Sequence, residues 1–239
     1  MRAFLVVLLF CGVALSETIN VAVASSMRPP VEEIAKLFEK LTGHKVRLSF
    51  GSSGLLYRKV LGGAPYDVFL PASDRYAWEL VERGKALGES LTPFAKGELV
   101  VFALEGNIPD WEKVIKEARR VAIPNPRYAP YGVAALEFLK RSGLYEKVRS
   151  KLVNGSNVGQ AFQFVVSGGA DVGLVSLSLA VSYPKGRYVR LPRELYNPVI
   201  HVAVITSRGR EKETAHTFVK FLKSEEARKI LNRFGFEVP

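Results

Sequence analysis

The chain is 239 residues long, enough for one large domain or two small ones at roughly 100 to 200 residues per domain, and enough to bury a core. With 48% hydrophobic and 24% charged residues, and 20 Gly and 13 Pro scattered through it, it is neither disordered, collagen-like nor coiled-coil. The net charge of +11, from 34 Lys plus Arg against 23 Asp plus Glu, favours anions of some kind, with nucleic acid, anionic membrane and small oxyanions all open.

Met1-Arg2 followed by the apolar run Ala3 to Leu15 and the small residues of Ala14-Leu15-Ser16 reads as an export signal over residues 1–16, cleaved before Glu17, with Gly12 or Ala14 as fallback ends. The run is too short for a bilayer span of about 20 residues. The mature chain is therefore expected to be exported and soluble. Cys11, the single cysteine, follows Phe10 rather than a small residue, which argues against lipid attachment. Without it the mature chain has no thiolate chemistry and no disulfide.

Thr18 to Ala24 is a β-branched apolar run that predicts a strand, followed by a turn at Ser25-Ser26-Met27-Arg28-Pro29-Pro30 and a helix over Val31 to Leu41. Strand Lys45 to Phe50, helix Leu55 to Leu61, strand Tyr66 to Pro71 and helix Arg75 to Arg83 continue the alternation. This pattern predicts a parallel sheet with helices on both faces. A second unit follows: strand Glu98 to Ala103, helix Trp111 to Ala118, strand Arg120 to Ile123, helix Val133 to Ser142 and helix Tyr145 to Lys151. Helix Val158 to Val166, strands Asp171 to Val175, Tyr188 to Arg190 and Val199 to Ile205, and a long helical stretch Glu211 to Phe234 complete the chain. The expected division is lobe I, residues 17–95 and 198–239, and lobe II, residues 96–197. The chain would cross between them near Pro93 to Glu98 and near Tyr196 to Val199.

Four segments place small or hydroxyl residues between a strand end and a helix start: Ser25-Ser26, Ser52-Ser53, Pro130-Tyr131-Gly132 and Asn157-Val158-Gly159. A helix N-terminus carries unsatisfied N–H groups and a partial positive charge, so it binds anions without Lys or Arg. In open α/β sheets such turns lie where ligands sit, beyond the carboxyl ends of the strands. Each turn taken singly also reads as an ordinary N-cap.

The stretch from Val21 to Asp74 resembles the start of the periplasmic molybdate-binding (ModA-like) proteins of ABC transporters. Ala24-Ser25-Ser26-Met27, Phe50-Gly51-Ser52-Ser53, Gly63-Ala64-Pro65-Tyr66-Asp67-Val68-Phe69, Pro126 to Gly132, Asn157 to Ala161 and Arg233-Phe234-Gly235-Phe236 are similar to that family's motifs, and the likeness runs nearly full length. It implies a type II periplasmic binding protein: α/β, two lobes joined by a two-crossing hinge, with the ligand cleft between them. It implies hydroxyl and N–H donors at Ser26 and Ser53 and N–H donors at Tyr131 and Val158, all four holding the molybdate metal only through its oxygens and not by direct ligation. Tyr131 stands where the family often has Ala, which keeps the main-chain donor if the ring points outward. Ser176 stands where many members have a Tyr donor, so that contact is expected to be shortened, moved to Ser178 or lost.

The implied ligand is molybdate or tungstate, with no cofactor, and the implied partner is an ABC permease at the membrane. A monomer in the periplasm or other extracytoplasmic space, with no nucleic-acid partner, is expected. Molybdate, tungstate and sulfate are fully ionised at neutral pH and suit a site made only of donors, whereas phosphate keeps a proton and wants an acceptor. Sulfate or another tetrahedral oxyanion is one alternative. An exported serine hydrolase using Ser26 or Ser53 is another, but none of His44, His201 and His216 lies near the serine turns in sequence, neither Ser26 nor Ser53 begins an S-x-x-K pair, since Pro29 and Leu56 stand at the fourth positions, and no G-x-S-x-G elbow is present. The three histidines are read as structural or surface groups. The basic runs around Lys113 to Arg120 and Lys212 to Lys229, interleaved with Glu, read as solvated helix faces. Trp78, Trp111 and Phe218 read as core or lobe packing.

Overall fold

The computed structural model describes residues 16–105, 108 and 110–239. The expected export signal over residues 1–16, with Cys11, lies outside these apart from Ser16. In chain order the elements are β1 (Thr18–Ala24), α1 (Arg28–Thr42), β2 (Lys45–Gly51), α2 (Ser53–Leu61), β3 (Val68–Leu70), α3 (Asp74–Glu82), β4 (Thr92–Gly97), β5 (Leu99–Ala103), α4 (Trp111–Glu117) and β6 (Val121–Pro124). Then come α5 (Pro130–Arg141), α6 (Tyr145–Val148), β7 (Leu152–Gly155), α7 (Val158–Val166), β8 (Val172–Ser176), α8 (Leu177–Val181), β9 (Arg187–Arg190), β10 (Val199–Ile205), α9 (Glu213–Phe221) and α10 (Glu225–Arg233). Among the described residues no helix is long and apolar enough to cross a membrane.

The strands form two five-stranded sheets, ordered β2-β1-β3-β10-β4 and β7-β6-β8-β5-β9. Each defines one lobe. Neither is purely parallel as the alternation predicts: β1 runs parallel to β2 and β3, and β6 to β7 and β8, but β10 pairs antiparallel with β3 and β4, and β5 antiparallel with β8 and β9. The reversed strands are those that enter a sheet from the other lobe. Extended chain runs from β4 through Glu98 into β5, and returns through Pro198 into β10. At the first crossing the buried Glu98 carboxylate is held by Arg190 (3.5 Å) and by Arg193, which also reaches Glu237 at 3.1 Å.

Side-chain alternation assigns the faces of the first sheet. Ile19, Val21 and Val23 of β1 point to one side, where they pack with Ile34 and Phe38 of α1, Phe218 of α9 and Leu231 of α10; Ala22 points to the other, with Leu56 of α2 and Leu80 of α3. Burial on both faces is what a sheet covered by helices on each side requires. Phe236 joins the first of these clusters, and Glu237 pairs with Lys96 of β4, so the C-terminal tail docks on lobe I. Phe218 is buried as expected, and Trp111, partly buried, packs on the second core against Phe138 at 5.1 Å. Trp78 does not: it is 50% exposed, because α3 buries the stripe Tyr76, Ala77 and Leu80 and position 78 falls off it.

Several boundaries shift for local reasons. Helices α1 and α5 begin at Arg28 and Pro130, three residues before the sequence expectation, because proline is tolerated in a first turn whose N–H groups have no acceptor anyway. The stretch Glu211 to Phe234 is two helices, since Ser224 stops one and caps the next by accepting from Ala227 N–H at 3.2 Å. Strand β4 is absent from the sequence expectation because it contains Pro93. It is an edge strand, and Pro93 falls opposite Val202, where the β10 register slips.

Candidate functional site

All four strand-to-helix turns meet at one place. The 3-10 turn Ser25–Met27 continues from β1, α2 begins two residues after β2, α5 opens at Pro130 and α7 at Val158. Ser26, Ser53, Tyr131 and Val158 all line a single void of about 10 Å³ between the lobes. None of the described residues lining it carries a formal charge. That is about the room of one water, so the cleft is nearly shut around these residues. A wider cleft of about 540 Å³, bordered by Arg127, Asn197 and Ile200, shares Ala72, Ala129 and Pro130 with it.

The donors are prepared locally. Pro130, the first residue of α5, has no N–H, so the Tyr131 N–H is the leading donor of that helix. In α7 the Asn157 side chain accepts from Gln160 N–H at 3.0 Å. This cap satisfies a deeper N–H and leaves that of Val158, the first helical residue. Ser53 Oγ accepts a hydrogen bond from Ala72 N–H at 3.0 Å. One lone pair is thereby used, and the single hydroxyl proton is left to point elsewhere.

Ser26 has a partner that sequence reasoning placed in an unrelated strand. His201 Nε2 lies 2.9 Å from Ser26 Oγ, and both residues are buried. Burial lowers the imidazole pKa to about 3, so His201 is neutral at any physiological pH. The signal available in the sequence was a polar residue inside the apolar run Val199 to Ile205, since a buried polar group needs a partner. Nothing in the sequence says that the partner is 175 residues away. The other two histidines make structural hydrogen bonds: Glu17 N–H donates to His44 Nδ1 at 3.1 Å, and His216 Nε2 meets the Arg210 carbonyl at 2.8 Å.

The Tyr131 ring does not point outward. It is buried, 6.0 Å from the His201 ring, with its hydroxyl against Gly97 of β4. A Cβ at Gly97 would overlap that hydroxyl, so the crossing strand accepts the ring only because residue 97 is glycine. Burial, with the nearby Tyr196 and Glu98 adding to it, pushes the phenol pKa well above its ordinary value and keeps it protonated.

Ser176 is not among the residues lining the void. Ser178 Oγ donates to the Ser26 carbonyl at 2.6 Å and lies 3.1 Å from Ser176 Oγ. A hydroxyl has one proton, and that of Ser178 is committed to a carbonyl, so Ser176 is the donor between the two serines. Its proton is then unavailable to a ligand. The Ser178 bond ties lobe II to lobe I, as does Gly54 N–H to the Tyr128 carbonyl at 2.9 Å.

Residues 19–237 match the family described as bacterial extracellular solute-binding protein. The chain belongs to that family. It is 37% identical over 235 residues to the molybdate-binding protein ModA of Azotobacter vinelandii, covering 96% of this chain and 93% of that one. To ModA of Rhodobacter capsulatus it is 37% identical over 217 residues, covering 90% and 86%. Its structure superposes on the Azotobacter vinelandii periplasmic molybdate-binding protein with a TM-score of 0.88 at 34% identity, covering 92% of this chain and 99% of the other. The two-lobed fold with a cleft between the lobes is that of a periplasmic binding protein.

The Ser26–His201 pair is a buried hydrogen bond to a neutral imidazole. A general base must take up a proton near working pH, and burial denies this to His201. Among the described residues no carboxylate meets its Nδ1, the contact that orients the base in a catalytic triad. The Ser176 geometry carries its own expected result. Ser176→Ala should change anion affinity by less than about twofold, since no bond to a charged ligand is lost. Titration of that variant beside the parent checks it, and a loss as large as that of Ser53→Ala would contradict the assignment of its proton.

Proposed function

We propose that the chain is the extracytoplasmic receptor of an ABC importer, capturing molybdate or tungstate between its lobes and handing it to a membrane permease. The observation that carries this is the void itself: two hydroxyl-bearing turns and two helix N-termini converge on a space with no charged group on its lining. Donors without acceptors favour an anion that has shed all its protons. The relatives at 37% identity are named molybdate-binding proteins, which supports the metal oxyanions over sulfate. We assign Ser26, Ser53, Tyr131 and Val158 as the direct contacts, and leave Ser176 behind them.

On this reading residues 17–95 and 198–239 form lobe I and residues 96–197 form lobe II, and the protein acts as a monomer in the periplasm after removal of residues 1–16. It has no catalytic step. The field of a chain with net charge +11 speeds capture of the anion. Calorimetric titration of the mature protein at neutral pH should give strong binding of molybdate and tungstate, weaker binding of sulfate and none of phosphate. Tight phosphate binding, or no response to molybdate and tungstate, would overturn the assignment.

A further inference from the structure

We propose that His201 is a positioning residue for the anion site: in the complex it is the Nε2–H tautomer, donating to Ser26 Oγ and so turning the Ser26 hydroxyl proton into the void. This rests on the functional reading above and extends it to a residue that does not touch the ligand. Ser26 has one proton and, among the described residues, one hydrogen-bond partner for its hydroxyl, the His201 ring nitrogen at 2.9 Å. If Nε2 accepts, the Ser26 proton points away from the void and lone pairs face the anion, which is repulsive. If Nε2 donates, the proton is free and the hydroxyl becomes a donor to the ligand.

The second serine shows the same device built from main chain. Ala72 N–H donates to Ser53 Oγ at 3.0 Å and leaves that hydroxyl proton for the void. An N–H behind each serine therefore fixes both as donors. At Ser26 it must come from a side chain: β10, with Ile200 and Val202 either side of His201, runs past the turn with its ring toward it. The ring is held in that direction. Phe236 packs edge-on at 5.1 Å, Tyr131 lies at 6.0 Å, and a Cβ on Gly97 would come within 3.1 Å of the imidazole Cε1. The competing tautomer would place the proton on Nδ1, on the side of the Val199 carbonyl, without reaching hydrogen-bond geometry there, and the bound anion's need for a donor at Ser26 is what selects Nε2–H.

Two measurements test the proposal, both using molybdate as the ligand. Nitrogen-15 NMR of the parent protein saturated with molybdate, with the His201 signals assigned by their loss in His201→Gln, should show a pyrrole-type Nε2 and a pyridine-type Nδ1. The reverse assignment would overturn it. In a double-mutant cycle, His201→Phe should weaken molybdate binding about tenfold in the parent but by less than about twofold in a Ser26→Ala background, because its effect passes through the Ser26 hydroxyl. His201→Gln, which keeps an N–H donor on a side chain of similar reach, should recover most of the loss. Equal losses in both backgrounds, or no difference between Gln and Phe, would reduce His201 to a packing residue. Failure of the parent protein to bind molybdate would instead remove the functional reading, and this proposal with it.

Discussion

The Ser26→Ala, Ser53→Ala double variant is expected to bind molybdate at least about a hundredfold more weakly than the parent chain. A hydrogen bond to a charged partner is worth about 1.5 to 3 kcal/mol, and each 1.4 kcal/mol is about tenfold in affinity. Two such bonds to one ligand couple, so their sum sets the scale and not the figure. The substitutions also leave Ala72 N–H and His201 without their serine partners in a buried site. The melting temperature should therefore fall while the fold persists. Calorimetry on protein shown native by circular dichroism at the titration temperature reads the affinity alone. Parent-like affinity in the native double variant would place the anion elsewhere.

Gly132→Ala should damage the protein more broadly, costing stability and more than about tenfold in anion affinity. Gly132 sits in the first turn of α5, one residue after the Tyr131 donor, and the end of β6 passes against it. A Cβ there would overlap the Pro124 carbonyl oxygen and lie 2.8 Å from Asn125 C and Pro126 N. All of these are backbone atoms that cannot rotate away. Overpacking of this kind typically costs about 1 to 3 kcal/mol, occasionally more. Relief requires the helix start to move, which carries the Tyr131 N–H away from the void. Thermal denaturation and molybdate titration check both parts, and an unchanged melting temperature would show that the turn has room that its geometry denies.

What was legible in the sequence was local. The strand Thr18–Ala24, the helix Val158–Val166 and the strand Val199–Ile205 follow from periodicity and appear with the same bounds. The four turns could be read because a hydroxyl or small residue between a strand and a helix has a local meaning. Their convergence became an expectation only through resemblance to a family. What the sequence hid depends on partners far along the chain. His201 looks like a stray polar residue in an apolar strand until β10 is laid beside the Ser26 turn. The Tyr131 ring could be placed only once Gly97 of β4 was beside it, and the proton of Ser176 could be assigned only after that of Ser178 was committed to the Ser26 carbonyl. Direction reversal at the crossings was likewise invisible, because strand order is a property of the assembled sheets.

The most direct test of the donor-only cleft is a crystal structure of the mature protein with molybdate, the metal located by anomalous scattering. The account predicts a single strong peak in the void between the lobes, with molybdate oxygens within hydrogen-bond distance of the Ser26 and Ser53 hydroxyls and the Tyr131 and Val158 N–H groups. Ser176 should lie behind this shell. A peak in the wider cleft beside Arg127, or an anion held by a charged side chain, would contradict it.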